Sequence, residues 1–127
     1  MEGLLLFAHG ARDPAWSRSF EAVAQRIAAR KPQTPLQLAF LEFMSPSMAE
    51  AAQSLAAAGC TTIHIVPLFL GSGGHVRKDV PALIESLQAQ YGAQIRWQLH
   101  STIGDHALVT EAMAEAALQT LLKQPTA

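Results

Sequence analysis

Residues 3–14 read GLLLFAHGARDP, and this stretch decides the fold. Its first six residues form a continuous apolar run, which is typical of a strand buried on both faces. Asp13 and Pro14 then supply an N-cap acceptor followed by proline at the first helical position, so a helix is predicted to begin there. A buried strand that leads within a few residues into a helix is the first half of a βα unit.

The same succession of a strand and a helix occurs four times along the chain. We predict strands at residues 3–8, 36–41, 61–69 and 94–99. The helices that follow them are predicted to begin at Asp13-Pro14, at Ser45-Pro46, at Asp79 with Pro81, and near Gly104-Asp105. Four such units with short connections imply an α/β fold, an open parallel four-stranded sheet with helices on both faces. Right-handed crossovers favour the strand order 2-1-3-4.

The composition fits one domain of ordinary size. The chain has 127 residues, and half of them are hydrophobic. A chain of this length buries roughly two-thirds of its unfolded surface. We therefore treat residues 1–127 as a single domain and expect residues 124–127 to form a frayed tail.

Charge, hydropathy and cysteine content exclude several classes of protein. Nine basic and ten acidic residues give a formal net charge of −1, whereas a nucleic-acid-binding protein normally shows a basic face. No apolar run reaches the ~18 residues that span a bilayer, and the N-terminus lacks the basic region of a signal peptide. Cys60 is the only cysteine, which excludes an internal disulfide. We expect a cytoplasmic protein that binds neither nucleic acid nor membrane.

Three polar residues, each just after a predicted strand, are evenly spaced. His9, Glu42 and His75 lie 33 residues apart in turn, close to the length of a βα repeat of about 30 residues. Because parallel strands end at the same edge of a sheet, all three are expected at the carboxyl edge, where open α/β sheets bind ligands. Two imidazoles and a carboxylate in one place suit a divalent metal or proton transfer.

The predicted strand order places these residues at the topological switch point. In the order 2-1-3-4, strands 1 and 3 are neighbours, and the chain reverses its direction of growth between them. His9 and His75 therefore lie on either side of the switch point, and Glu42 flanks it on strand 2. The usual binding position of the fold and the candidate site residues coincide.

Basic residues and glycines accompany the two histidines. Arg12, Arg77 and Lys78 each follow one of the histidines by two or three residues. Gly73 and Gly74 come directly before the second histidine, and consecutive glycines allow a backbone to approach a ligand closely. We take these five residues as candidates for binding a substrate.

The remaining histidines and the cysteine are weaker candidates. His64 lies in the middle of a strand, where a buried, hydrogen-bonded core residue is expected. His100 ends strand 4 at the same sheet edge but farther from the switch point. His106 falls in the first turn of the last helix and is expected to be solvated, and Cys60 is expected to be structural.

At these positions the chain resembles the small sirohydrochlorin chelatases of the short CbiX type. The resemblance rests on HGxRDP at residues 9–14, FLExxxPS at residues 40–47 and PLFLxxGxHxxxDxP at residues 67–81. Each motif alone is modest, but three in this order and spacing are specific. The match extends from Leu4 to the final helix.

The resemblance implies a lyase that inserts a divalent metal, cobalt, iron or nickel, into sirohydrochlorin on the way to cobalamin or sirohaem. The metal is then a substrate, and no organic cofactor is implied. His9 and His75 would bind the metal, and Glu42 would assist as a base or as a further ligand. Because short members look like half of a two-domain class II chelatase, the resemblance also implies a homodimer.

The side chains near the site suit such a substrate. Sirohydrochlorin carries many carboxylates, which Arg12, Arg77 and Lys78 can bind through charge-assisted hydrogen bonds. Large apolar residues near the strand ends can pack on the macrocycle or belong to the core or a dimer contact. These residues are Phe43, Met44, Phe69 and Leu70.

Two other functions remain open at the level of sequence. A non-catalytic metal or tetrapyrrole carrier would need the same ligands and pocket. A phosphohistidine-type phosphoryl-transfer enzyme would also have a histidine after strand 1, followed by glycine and arginine. That chemistry favours an arginine directly before the histidine, where this chain has Ala8.

Overall fold

The computed structural model describes residues 1–71 and 73–122, and for residues 74–77 it describes the backbone alone. The strands are β1 (Glu2–Ala8), β2 (Leu36–Phe40), β3 (Thr62–Pro67) and β4 (Arg96–Leu99). The helices are α1 (Arg18–Arg30), α2 (Met48–Ala57), α3 (Gly74–Tyr91) and α4 (Ala107–Leu122), with 3-10 turns at Pro14–Ser17, Gly92–Gln94 and Ile103–Asp105. All strands pair in parallel in the order β2-β1-β3-β4, so the predicted sheet is confirmed. The predicted tail, residues 124–127, lies outside the described residues.

One face of the sheet holds the core. Successive side chains of a strand point to opposite faces, and Leu5, Phe7, Ile63 and Ile65 on this face are fully buried. Helices α2 and α3 cover them with the side chains of Met48, Ala51, Ala52, Leu55, Val80, Ile84 and Leu87. Since each large buried side chain contributes about 1.5–3 kcal/mol, this face is the main source of stability.

The opposite face is covered less completely. Leu4, Leu6 and Val66 point to this side and line an open apolar groove together with residues of α1. The helix α1 is amphipathic, yet none of its residues is buried. The helix α4 adds no cover, because every residue from Thr110 to Leu122 is exposed. No helix in the described part of the chain is both long and apolar enough to span a membrane.

The predicted start of the third helix is wrong. Helix α3 begins at Gly74, five residues before Asp79, and carries Pro81 inside it. A proline removes only one backbone donor and can be tolerated at the cost of a local distortion, while Val80 and Ile84 anchor this part of the helix in the core. The segment around residue 75 is therefore the first turn of a helix instead of a loop.

A capping box fixes the start of α2. The Ser47 side chain accepts a hydrogen bond from the Glu50 backbone N–H at 3.2 Å, and the Ser47 backbone N–H donates to Glu50 Oε1 at 2.9 Å. Hydrogen bonding to the carboxyl from the Ser47 backbone N–H, and secondarily from the Ser47 side chain, holds the pKa of Glu50 below its usual value. The box also sets where the chain leaves the loop after β2.

We expect Ser47→Ala to lower the free energy of unfolding by about 1 kcal/mol, because the N3 backbone donor loses its acceptor. Urea denaturation followed by circular dichroism measures the change. Ser54→Ala, at an exposed position of the same helix, is the matched control and should not destabilise the protein, because alanine has the higher helix propensity. An equal loss in both variants would argue against the cap.

Candidate functional site

Two of the three predicted site residues meet directly at the carboxyl edge of the sheet. His9 Nε2 and Glu42 Oε1 lie 2.9 Å apart. The side chains remain 40% and 45% exposed, so the pair is open to a ligand from solvent. The sequence-based expectation that His9 and Glu42 share an edge is confirmed at the level of a side-chain contact.

The backbone brings this pair together by extending the β1–β2 pairing beyond the strand ends. The Leu41 N–H donates to Ala8 O at 2.9 Å, and the Glu42 N–H donates to His9 O at 3.0 Å. Gly10 then adopts φ +99°, and a Cβ atom at this position would collide with the Glu42 carbonyl oxygen. Only glycine adopts this φ readily, and only glycine lets the Gly10 backbone come this close to the Glu42 carbonyl.

The hydrogen bond determines which nitrogen of His9 carries the proton. An ionised carboxylate can only accept hydrogen bonds, so the His9–Glu42 contact places a proton on Nε2. In the neutral ring, Nδ1 then carries the lone pair through which an imidazole can bind a metal. Carboxylate partners of this kind fix the tautomer and the orientation of metal-binding histidines.

An exposed aromatic ring and a guanidinium lie next to the pair. The Arg12 guanidinium carbon is 4.8 Å from the centroid of the Phe43 ring, within the range of a cation–π contact. Phe43 is 57% exposed and has φ +65°. A bulky residue with positive φ is rare and costs on the order of 1 kcal/mol. The sequence carries no signal for this conformation.

The apolar residues near the strand ends fall into two groups. Phe69 is buried and packs edge-on against Phe7, with ring centroids 6.2 Å apart. Its ring also supports the His9 imidazole, at a centroid distance of 6.5 Å. Leu70 is 67% exposed and Met44 is half-buried. Phe69 therefore belongs to the core, whereas Leu70 lines the apolar groove on the less covered face of the sheet.

The structure describes the backbone position of His75 but not the position of its side chain. It lies in the first turn of α3, which begins after the carboxyl end of β3. Its side chain lies outside the described residues, as does that of Arg77. Within the described side chains, no group of three histidine, cysteine, aspartate or glutamate residues is arranged to hold a metal ion. A contact between His75 and the His9–Glu42 pair stays a prediction.

The other predicted substrate-binding residues lie along the start of α3. Gly73 is the N-cap residue of α3 and is exposed, and Gly74 is the first residue of the helix. Lys78 is exposed in its second turn. These positions line the carboxyl side of β3, the strand next to β1.

A second histidine cluster lies on the less covered face of the sheet. His64 Nε2 is 2.9 Å from Glu2 Oε1, and His64 Nδ1 is 2.9 Å from His100 Nε2. The hydrogen bond from His64 lowers the pKa of the Glu2 carboxyl. His64 is hydrogen-bonded as predicted, but its side chain is 27% exposed instead of buried, because no helix covers it. His106 is exposed, as predicted, and its Nδ1 accepts from the Leu108 N–H at the start of α4.

The sequence matches a known family and relatives of similar length. A family model described as CbiX matches residues 3–120. The chain is 30% identical over 121 residues to the sirohydrochlorin cobaltochelatase of Sulfurisphaera tokodaii, covering 95% of this chain and 95% of that protein. It is 28% identical over 126 residues to the sirohydrochlorin cobaltochelatase of Methanococcoides burtonii, covering 94% and 96%.

The structure also resembles solved structures. A chain from Marinobacter aquaeolei, assigned to cobalamin (vitamin B12) biosynthesis as a CbiX protein, superposes with a TM-score of 0.85 at 29% identity, covering 98% of this chain and 100% of that one. SirB from Bacillus subtilis with Fe³⁺ superposes with a TM-score of 0.81 at 22% identity, covering 98% of this chain and 48% of SirB. The second likeness establishes the fold, and this chain corresponds to about half of SirB.

We expect Gly10→Ala to destabilise the protein and to separate His9 from Glu42, because the new Cβ would collide with the Glu42 carbonyl. Gly59→Ala is the matched control: its φ of +95° is similar, but a Cβ there meets nothing within 4 Å. Both variants should bear the cost of positive φ, about 1–3 kcal/mol, and only Gly10→Ala should bear the collision. Urea denaturation and histidine NMR shifts measure the two effects. Equal destabilisation with an unchanged His9 signal would contradict the role of Gly10.

Proposed function

The chain belongs to the CbiX family, and we propose that it is a sirohydrochlorin chelatase, a lyase that inserts a divalent metal ion into sirohydrochlorin. The hydrogen-bonded His9–Glu42 pair carries this proposal. It combines a potential metal ligand and a proton acceptor in an accessible position at the carboxyl edge of the sheet. Relatives that match nearly the full chain are named sirohydrochlorin cobaltochelatases.

Metal insertion requires the removal of two pyrrole protons as the divalent ion enters the macrocycle. In our proposal Glu42 accepts one of them, since its carboxylate is in hydrogen-bond contact with His9 and half exposed. The same carboxylate orients the His9 ring while that ring holds the metal. A histidine released from the metal accepts the second proton.

The metal is a substrate held by few protein atoms. We propose His9 and His75 as its ligands, the first through the nitrogen that does not donate to Glu42. Imidazole suits cobalt, iron and nickel, and an incomplete ligand set leaves positions open for the pyrrole nitrogens. The names of the relatives favour cobalt, and SirB structures contain Fe³⁺ or cobalt.

The proposed macrocycle site lies beside the pair, where an exposed ring and a cation occur together. The exposed Phe43 ring offers apolar surface to the face of a tetrapyrrole. We propose that Arg12, which is held against that ring, binds carboxylates of the macrocycle. Arg77 and the exposed Lys78 are proposed to bind others. The positive φ of Phe43 supports this role, because strained residues that keep a side chain exposed cluster at functional sites.

We further propose a cytoplasmic homodimer. The chain corresponds to about half of SirB, so two copies would supply the equivalent of both halves. A single cysteine with a buried free thiol, whose pKa is raised by burial, suits a reducing compartment.

The assay of this function follows the absorbance of sirohydrochlorin after Co²⁺ is added, with and without the protein. We expect the protein to accelerate the spectral change well beyond the metal-only rate. If the protein binds Co²⁺ and sirohydrochlorin but the rate equals the metal-only rate, the chain is a carrier and the chelatase proposal fails.

We expect His9→Ala and Glu42→Gln each to lower kcat/KM by about 100-fold, the scale on which general bases and carboxylate partners of metal ligands act. His9→Ala should also weaken Co²⁺ binding, measured by calorimetry, whereas Glu42→Gln should largely retain it. Glu85→Gln, an exposed carboxylate on α3, is the control and should behave like the unmodified chain. Equal loss of Co²⁺ affinity in the first two variants would make Glu42 a ligand instead of a base.

We expect Arg12→Ala to raise the KM for sirohydrochlorin about 10-fold with little change in kcat, because a charge-assisted contact of about 1.5 kcal/mol is lost. Steady-state kinetics at fixed Co²⁺ concentration measure it. Arg30→Ala, at an exposed position at the end of α1, controls for the loss of a positive charge. An unchanged KM would remove Arg12 from the substrate site.

A further inference from the structure

The helix α4 is apolar but uncovered. Glu111 and Glu115 are its only charged residues among sixteen, and its apolar side chains point in all directions. Several of them are more than half exposed: Leu108, Met113, Leu118, Leu121 and Leu122. A helix that is hydrophobic all round is normally buried. This helix therefore requires a partner surface.

The same chain contains an apolar groove, open to solvent along one side, on the less covered face of the sheet. The groove has a volume of about 670 Å³. Its floor includes Leu6, Val66 and Leu68, and one wall is formed by Phe20, Val23 and Ile27 of α1. The face of a parallel sheet is normally covered by helices along its whole width, so the groove corresponds to a missing helix.

The helix and the groove are complementary in size and charge. Sixteen helical residues span about 24 Å, enough to run the length of the thirteen-residue α1 beside it. Three arginines and one glutamate give α1 a formal charge of +2, and the two glutamates give α4 a charge of −2. Opposite charges on adjacent elements favour their association.

The turn before α4 is anchored to the sheet, and the helix after it leaves the groove of its own chain open. Gly104 packs against the Leu70 backbone so closely that a Cβ would collide with it, and its N–H donates to Phe69 O at 2.9 Å. His106 then caps the first turn of α4. The helix thus starts from an anchored turn, and only Val109 of its residues reaches the groove.

We propose that two copies of the chain exchange α4, so that the helix of each copy fills the apolar groove of the other. The exchange would bury the exposed leucines and methionine of both helices in a closed, two-fold symmetric dimer. It would also cover the less protected face of both sheets. This inference rests on the homodimer proposed above and is independent of chelatase activity.

Photo-crosslinking of isotope-mixed chains tests the exchange. An unlabelled chain with p-benzoylphenylalanine in place of Leu118 is refolded together with the ¹⁵N-labelled unmodified chain, irradiated, and digested for mass spectrometry. We expect α4 peptides of the unlabelled chain to be linked to ¹⁵N peptides from α1 or the groove strands. The same label in place of Gln53, exposed on α2, should give no such links.

Every alternative result overturns the exchange. If α4 of the unlabelled chain is linked to α1 of unlabelled chains alone and never to ¹⁵N peptides, the helix folds onto its own groove. Links that avoid α1 and the groove strands would place α4 elsewhere. If light scattering gives a dimer in either case, the exchange of α4 is wrong but the proposed homodimer still holds. Neither result bears on the absorbance assay of metal insertion.

A charge placed on α4 provides a second test without a label. We expect Leu118→Asp to raise the dissociation constant of the dimer at least 10-fold in sedimentation experiments, because it places a charge in the groove. Gln119→Asp adds the same charge at a neighbouring polar position and should have a much smaller effect. Equal effects, or an unmodified chain that is monomeric at all concentrations, would contradict the proposal.

Discussion

The parallel pairing of β1 with its two neighbours is the interaction on which the remainder of the structure depends. It places β1 in the centre of the sheet and buries Leu5 and Phe7 completely. Because the pairing with β2 extends for two hydrogen bonds beyond the strand ends, it also sets the positions of His9 and Glu42. The stability of the core and the geometry of the site therefore have a common origin.

The proposed chemistry follows from how one carboxylate is used. Glu42 contacts a histidine yet remains half exposed, so it can exchange protons with solvent or substrate. A fully buried carboxylate would bear a large desolvation cost, and an isolated one would not orient the imidazole. The arrangement suits a reaction in which a metal is held weakly and protons must leave as it is transferred.

Much of the fold was predictable because it depends on periodicity and local signals. Four apolar runs and the handedness of crossovers define the strand order. Of the proline-marked helix starts, Asp13-Pro14 is confirmed, whereas α2 is capped at Ser47 instead of Ser45. The meeting of His9 and Glu42 followed from the shared edge. The start of α3 was not predictable, because Gly73 and Gly74 favour a loop in the sequence while burial of Val80 and Ile84 determines the helix. The exposure of His64 and the positive φ of Phe43 depend on tertiary packing, for which the sequence has no local signal.

The close approach of Gly10 to the Glu42 backbone makes the two site loops a single rigid unit. Neither loop can shift without breaking the pairing that holds the other, so the His9–Glu42 geometry resists change. The positions open to variation are those whose side chains leave this unit, such as Arg12 and Phe43. Evolution or engineering toward another macrocycle would therefore act at this exposed rim and leave the proton-handling pair intact.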